Sequence, residues 1–230
     1  MIFEIGLENG LEGRSMAWVF GHPACFAYGQ DGQEALQNLP GSIAEYVGWL
    51  RHHNPQSQLA VEEIEIHLKE TWEVYLVDEN FELVDDGYEV NAWFLHDWKP
   101  LTEEEIHKGV ELLSWSREDL LALVKDLSQE DLQRRYPDER WNIAGILRHV
   151  GGAEWWYLDR LDLAFPRPKV PTDPFERLEK VRKRFLEVLP ELAGSKQVMG
   201  VDGELWSPRK MLRRAIWHER DHTFHIRKLI

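Results

Sequence analysis

The sequence has 230 residues, of which 43% are hydrophobic and 30% charged, and it holds eleven tryptophans. This is the composition of a folded chain with room for one large domain or two small ones, and it excludes a disordered polymer. Its 41 acidic residues outnumber 27 basic ones, so the net charge is −14. Such a chain repels a phosphate backbone, and no nucleic-acid partner is expected.

The densest basic runs, at 182–185 and 209–214, sit in helical patterns with acidic neighbours and read as solvated faces. The single cysteine, Cys25, permits no intrachain disulfide and reads as a buried structural thiol. No basic leader precedes an apolar run, and no stretch approaches the roughly 18 apolar residues of a membrane span. A cytoplasmic protein without a membrane partner is expected.

The first hundred residues favour strands. Runs at 2–7, 15–20, 61–68, 72–77 and 88–95 alternate or cluster β-branched and aromatic residues. One helical segment interrupts them. Asp31 and Glu34 form its start signal, Pro40-Gly41 breaks or kinks it, and Ser42 can cap a restart. An α+β domain over residues 1–98 follows.

After Lys99-Pro100 the period becomes helical. Thr102 and Glu105 make a capping box for a helix to about Leu127, whose apolar stripe is spoiled only by Arg117. A polar loop follows from residue 128. Asn142 caps a second helix, Ile143 to about Leu163, which Pro166, Pro168 and Pro171 end with a stiff connection. Asp173-Pro174 opens a third helix by a cap and a proline in the first turn. Residues 194–203 read as a loop, and Ser207-Pro208 opens a last helix by the same device. Four amphipathic helices over residues 101–230 make an all-α four-helix bundle the expected architecture.

The last helix carries His218, Glu219, Asp221, His222 and His225. His218 and His222 are four residues apart, on one helical face and on the apolar stripe, so two imidazoles can meet one ion there. With ten histidines in the chain such a pair is common by chance, and two ordinary histidines, one packed and one at the rim, fit the spacing as well. His218-Glu219-x-x-His222 also matches a zincin signature, with Glu219 as general base, but only eight residues follow and none is acidic. His225 lies on the same helix and would crowd the ion. A third ligand must come from another helix. His149 lies on the stripe of the second helix, beside Gly151 and Gly152. Adjacent glycines there suit a close approach of another helix or a ligand, although His149 alone reads as a core histidine.

The capped helix with Leu147-Arg148-His149-Val150 and Ala153-Glu154, the proline-rich connection, and the final His-x-x-x-His helix together resemble the DinB-like (YfiT-like) superfamily over residues 103–230. The resemblance implies an up-down-down-up bundle in which His149, His218 and His222 hold a divalent metal ion. It also implies S-transferase or related chemistry with a low-molecular-weight thiol in some members. The segment around Pro23, Cys25, Gly29, Asp31, Glu34, Ala35 and Asn38 resembles the strand–turn–helix signature of HicB-like domains. That resemblance implies a partner-binding unit, with a helical domain standing where the family's DNA-binding tail would be.

Three neutral imidazoles leave a divalent ion its full charge and an open position, which is the layout of a catalytic site. Imidazole suits Zn²⁺, Ni²⁺ or Fe²⁺, with Zn or Ni expected. Glu154, Glu219 and Asp221 are candidates to orient the imidazoles, and Glu154 or Glu219 to act as a general base. Trp141, Trp155, Trp156, Trp206 and Trp217 are candidate pocket walls. A metal-dependent transferase or hydrolase acting on a small molecule is expected, the alternative being a metal-binding regulatory protein. A homodimer through helix faces is compatible with both.

Overall fold

A computed structural model describes residues 1–57, 59 and 63–230. The chain divides into two compact units. The first comprises Met1–Lys99 and Gly200–Trp206, the second Pro100–Met199 and Ser207–Ile230. The first is built on a sheet and the second on helices.

In the first unit β1 (Ile2–Leu11) pairs antiparallel with β2 (Arg14–Val19), and β2 pairs antiparallel with β3 (Phe26–Gly29). Glu12 and Gly13, both at positive φ of 51° and 74°, turn the first hairpin in the mirror-image geometry that matches strand twist. After α1 (Gly32–His53) the chain returns as β4 (Glu65–Glu73), parallel to β1, giving the order β3-β2-β1-β4. Gly29 ends β3 where a Cβ would lie 2.2 Å from the Ala35 amide nitrogen, so the strand-to-helix turn requires glycine.

Helix α1 runs without interruption through Pro40, and Ser42 starts nothing new. A proline inside a helix costs about 3 kcal/mol. Leu39, Ile43, Val47 and Leu50 on the same helix are all buried, each contributing roughly 1.5–3 kcal/mol. Packing therefore outweighs the lost hydrogen bond.

The runs predicted at 61–68 and 72–77 merge into β4 and a short β5 (Leu76–Val77), while positions 61 and 62 lie outside the described residues. β5 pairs with β6 (Leu83–Val84) and β7 (Tyr88–Glu89). The predicted strand at 88–95 is strand only over β7. Val90, Ala92 and Phe94 are buried. The Val90 N–H still bonds the Tyr75 carbonyl at 2.9 Å, but among the described residues no strand pairs with the chain beyond it. Carboxylates take the backbone donors instead: Glu204 accepts from the Asn91 N–H at 2.7 Å, Glu8 from Ala92 at 2.7 Å, and Asp97 from Phe94 at 3.0 Å. Glu8 is fully buried and also accepts from the Trp18 indole at 2.8 Å.

In the second unit α2 (Glu103–Val124) begins at the expected capping box, Thr102 and Glu105 exchanging hydrogen bonds of 2.9 and 3.1 Å. Glu105 also receives a two-pronged ion pair from Arg209, at 2.6 and 2.7 Å. Partial burial works against the charged carboxylate, but Arg209 and Thr102 prevail and lower its pKa from 4.5 to about 2. A depressed folded pKa stabilises the fold above the ordinary carboxylate range, and the contribution fades as pH falls from about 4.5 through about 2. A carboxyl NMR titration is expected to place the Glu105 midpoint near 2, and Arg209→Met to move it toward 4.5.

The polar loop contains a short helix, α3 (Gln129–Gln133), started by a capping box between Ser128 and Asp131. Helix α4 (Ile143–Asp159) is capped by Asn142 and ends before the expected Leu163. Asp162 takes a left-handed φ of 59°, and the Leu163 N–H reaches back to the Leu158 carbonyl at 3.0 Å. Helix α5 (Pro174–Val188) follows, with Asp173 capping it. The loop expected at 194–203 folds instead into a hairpin, β8 (Met199–Val201) and β9 (Glu204–Trp206), turned by Asp202 and Gly203 at φ 52° and 79°. Helix α6 (Pro208–Leu229) completes the chain.

Helix α4 packs on α5 and α6, and α2 packs on α6. Leu120, Val124, Leu132, Ile146, Val150, Leu178 and Ile226 form part of one apolar core drawn from α2 through α6. The run at 209–214 is not a solvated face, and of 182–185 only Lys183 and Arg184 reach solvent. Arg182, Arg209, Lys210, Arg213 and Arg214 are all buried. Among the described residues no helix is long and apolar enough to cross a membrane.

Candidate metal centre

The apolar stripes of α4 and α6 bring His149, His218 and His222 together. His218 Nε2 lies 2.9 Å from His149 Nε2 and 3.2 Å from His222 Nε2. One ligand atom from each of the three lies within 4.8 Å of the others. A ring nitrogen carries one proton or one lone pair, so His218 Nε2 serves one such neighbour well, not two. Three lone pairs can instead share a cation. Tetrahedral ligands about 2.0–2.1 Å from a metal lie ~3.3 Å apart, close to the spacing found here. The donor set fits a divalent ion.

The surroundings favour neutral imidazole. Burial holds the His218 pKa well below its usual value, and the neighbouring His222, His149 and Arg214 push it the same way. Trp141 stacks on His149, ring centroids 4.4 Å apart, and fixes the plane of that imidazole. Trp217 and Tyr157 meet the His218 ring edge-on at 5.6 and 6.1 Å. His225 packs its ring 5.8 Å from that of His222 and gives its Nε2 to Glu139 at 2.9 Å. Asp221 is half-buried on α6.

Glu154 and Glu219 belong to a buried ring of charges drawn from all four long helices. Arg117 of α2 reaches Glu219 at 2.5 Å and Glu154 at 3.1 Å. Arg182 of α5 reaches Glu154 at 2.5 Å and Glu219 at 2.5 Å. All four carboxylate oxygens are thus engaged by guanidinium groups. Burial alone would raise the Glu219 pKa, but Arg182 and Arg117 outweigh it and hold it below the ordinary value. Burial likewise opposes the charge on Arg182, and the two glutamates override it, raising the Arg182 pKa. The Glu219 carboxylate, held in this way, is a poor proton acceptor. In this structure Glu154 and Glu219 are ion-pair partners of Arg117 and Arg182, which speaks against the zincin reading of Glu219 as a general base. Arg117 does not spoil its stripe. It faces inward because its partners are inside.

Beside His149 a cleft of about 660 Å³ opens in the helical unit. Trp141, Trp155 and Trp156 line it, with Arg148, Arg167 and Arg177. Of the other expected walls, Trp217 stands beside His218, and Trp206 is buried in the sheet-based unit together with Cys25. Gly151 explains how Arg177 reaches the cleft. A Cβ there would lie 2.9 Å from Arg177 Cγ and 3.3 Å from the Leu178 backbone nitrogen, so glycine lets α5 lay that side chain across α4. Arg177 is then pinned, donating to the Pro171 and Arg148 carbonyls at 2.7 and 3.2 Å. Read from the sequence, none of these three arginines has a role, although Arg148 lies in the motif with His149. The glycine pair Gly151-Gly152 was a signal for Arg177 alone.

A helical unit in which two helices present three converging imidazoles forms a candidate divalent-metal centre. The DinB superfamily model matches residues 112–226, half of the chain, and the chain belongs to the DinB superfamily. The match spans all three histidines. A protein of Oceanobacillus iheyensis, provisionally named a metal-dependent hydrolase, is 24% identical over 150 residues, which cover 55% of this chain and 86% of that one.

Proposed function

We propose that α2, α4, α5 and α6 form the up-down-down-up four-helix bundle of this superfamily, and that His149, His218 and His222 hold one divalent metal ion through Nε2. We further propose that the protein is a metal-dependent hydrolase or thiol S-transferase acting on a small molecule bound in the cleft beside His149. The observation that carries this reading is the meeting of three Nε2 atoms within 3.2 Å steps. The relative named for metal-dependent hydrolysis supports it.

When bound, such an ion would polarise a carbonyl or lower the pKa of a water or thiol toward neutrality. The chain's own residues supply the rest. Burial keeps His218 neutral, so its lone pair is free for ligation near pH 7. Trp141 keeps the His149 ring in one orientation. The ion-pair ring fixes α2, α4, α5 and α6 against one another, which holds the imidazoles in register. The tryptophan walls exclude water from one side of a substrate.

The Pro23–Asn38 segment forms β3, a glycine turn and a capped α1, the strand–turn–helix order that supports a HicB-like, partner-binding reading of the first unit. If that unit is the functional end, the metal site is a scaffold. Protein purified without chelator and loaded with Zn²⁺ or Ni²⁺ is to be assayed on ester, amide and thiol-transfer substrates, with and without a low-molecular-weight thiol. Turnover that chelator abolishes and the metal restores is expected. A metal-loaded protein silent in every class would favour the scaffold.

A further inference from the structure

The three arginines of the cleft stand out in a chain of charge −14. The cleft lining contains no aspartate or glutamate. Among the described residues none of Arg148, Arg167 and Arg177 forms an ion pair, whereas the buried Arg182 and Arg209 and the largely buried Arg117 all do. Arg148 and Arg177 lie close enough for their charges to repel, and burial together with the Arg148 charge lowers the Arg177 pKa. Arg167 sits over the Trp155 ring, 5.8 Å from its centroid. The arrangement places like charges together with no protein counter-charge, beside flat apolar walls.

We propose that this cleft binds the anionic head of a small molecule, a carboxylate or a phosphate carried on a flat apolar body, with Arg148, Arg167 and Arg177 on the head and the tryptophans on the body. This names the substrate class of the site above and rests on reading the three histidines as its reacting centre. Guanidinium groups match both kinds of oxyanion in a forked geometry, and an anion relieves the repulsion between them. Trp141 stacks on His149 and also lines the cleft, so a body stacked there lies next to the imidazole cluster. A volume of about 660 Å³ suits a compound of drug size and not a polymer.

Binding of phenyl phosphate, benzoate and neutral benzamide to metal-loaded protein is to be measured by calorimetry and tryptophan fluorescence. Both anions should bind at least tenfold more tightly than benzamide. Whichever anion binds more tightly identifies the head group. Arg148→Gln combined with Arg167→Gln should weaken both anions at least tenfold while leaving benzamide unchanged. Neither side chain makes a hydrogen bond among the described residues, so the variant keeps its fold, as circular dichroism can verify. His218→Ala should keep the anion preference, because the arginines and not the metal supply it. Equal binding of benzamide and the anions, or anion affinity unchanged in the arginine variant, overturns the proposal. Anion binding that survives in a protein that takes up no metal would uphold the anion site and sink the metal reading separately.

Discussion

Replacing His149 or His218 with alanine is expected to leave the chain unable to hold its metal. Wild-type protein should carry about one divalent ion per chain by elemental analysis, and either variant less than about a tenth of that at the same free metal. Even residues that only orient a ligand cost 10- to 100-fold in metal affinity, so loss of a ligand itself should exceed that. The thermal signature follows from mass action. At a free metal concentration of about 100 times Kd, the wild-type fold gains about 2.7 kcal/mol, a rise in Tm of roughly 5–10 °C for a chain of this size. Neither variant should respond. His225→Ala is the internal control, since the His225 ring packs 5.8 Å from His222 but its Nε2 contacts Glu139. It should retain full occupancy. A His149→Ala protein that binds as much metal as wild type would remove α4 from the site.

The second large effect concerns the buried ring of Arg117, Glu154, Arg182 and Glu219. Arg182→Met strips one guanidinium from two carboxylates that are 3% and 1% exposed. An uncompensated buried charge is expected to cost about 3–5 kcal/mol by urea denaturation. Removing a whole pair, with Arg182→Met and Glu219→Leu together, leaves Arg117 facing Glu154 at 3.1 Å and should recover much of that loss. The acid limb of stability should report the ring too. Because Glu219 has its pKa lowered on folding, its contribution is complete above the usual carboxylate pKa and is lost as pH falls below it. A loss under about 1 kcal/mol in Arg182→Met would show that the ring holds little of the fold together.

Much of the helical unit was legible because its signals are local. Thr102 with Glu105, Asn142, Asp173-Pro174 and Ser207-Pro208 each mark a start within one turn, and each start is found at its place. His149 and the His218–His222 pair were legible as candidates because each lay on an apolar stripe, where a polar ring needs a reason. The failures were non-local. Arg117 looked like a blemish because its partners, Glu154 and Glu219, lie on other helices. The run at 88–95 looked like a strand because β-branched and aromatic residues cluster there, while the carboxylates that replace a neighbouring strand come from Glu8, Asp97 and Glu204. Pro40 looked like a break because a local rule was applied where the core had the larger energy. The hairpin at Asp202-Gly203 did have a local signal, the dipeptide that favours a mirror-image turn, but short strands of three residues leave little periodicity around it.

That hairpin also decides how the protein can be dissected. Glu204 is contributed from beyond α5 in the chain, yet its carboxylate receives the backbone and side-chain N–H groups of Asn91. A fragment ending at Lys99 would be born without that acceptor, and a helical fragment beginning at Pro100 would carry a stray acidic ribbon with nothing to clasp. Cutting the polypeptide once therefore cannot yield two intact pieces. A designed separation needs residues 200–206 grafted onto the first fragment and a short bridge between Met199 and Ser207 in the second.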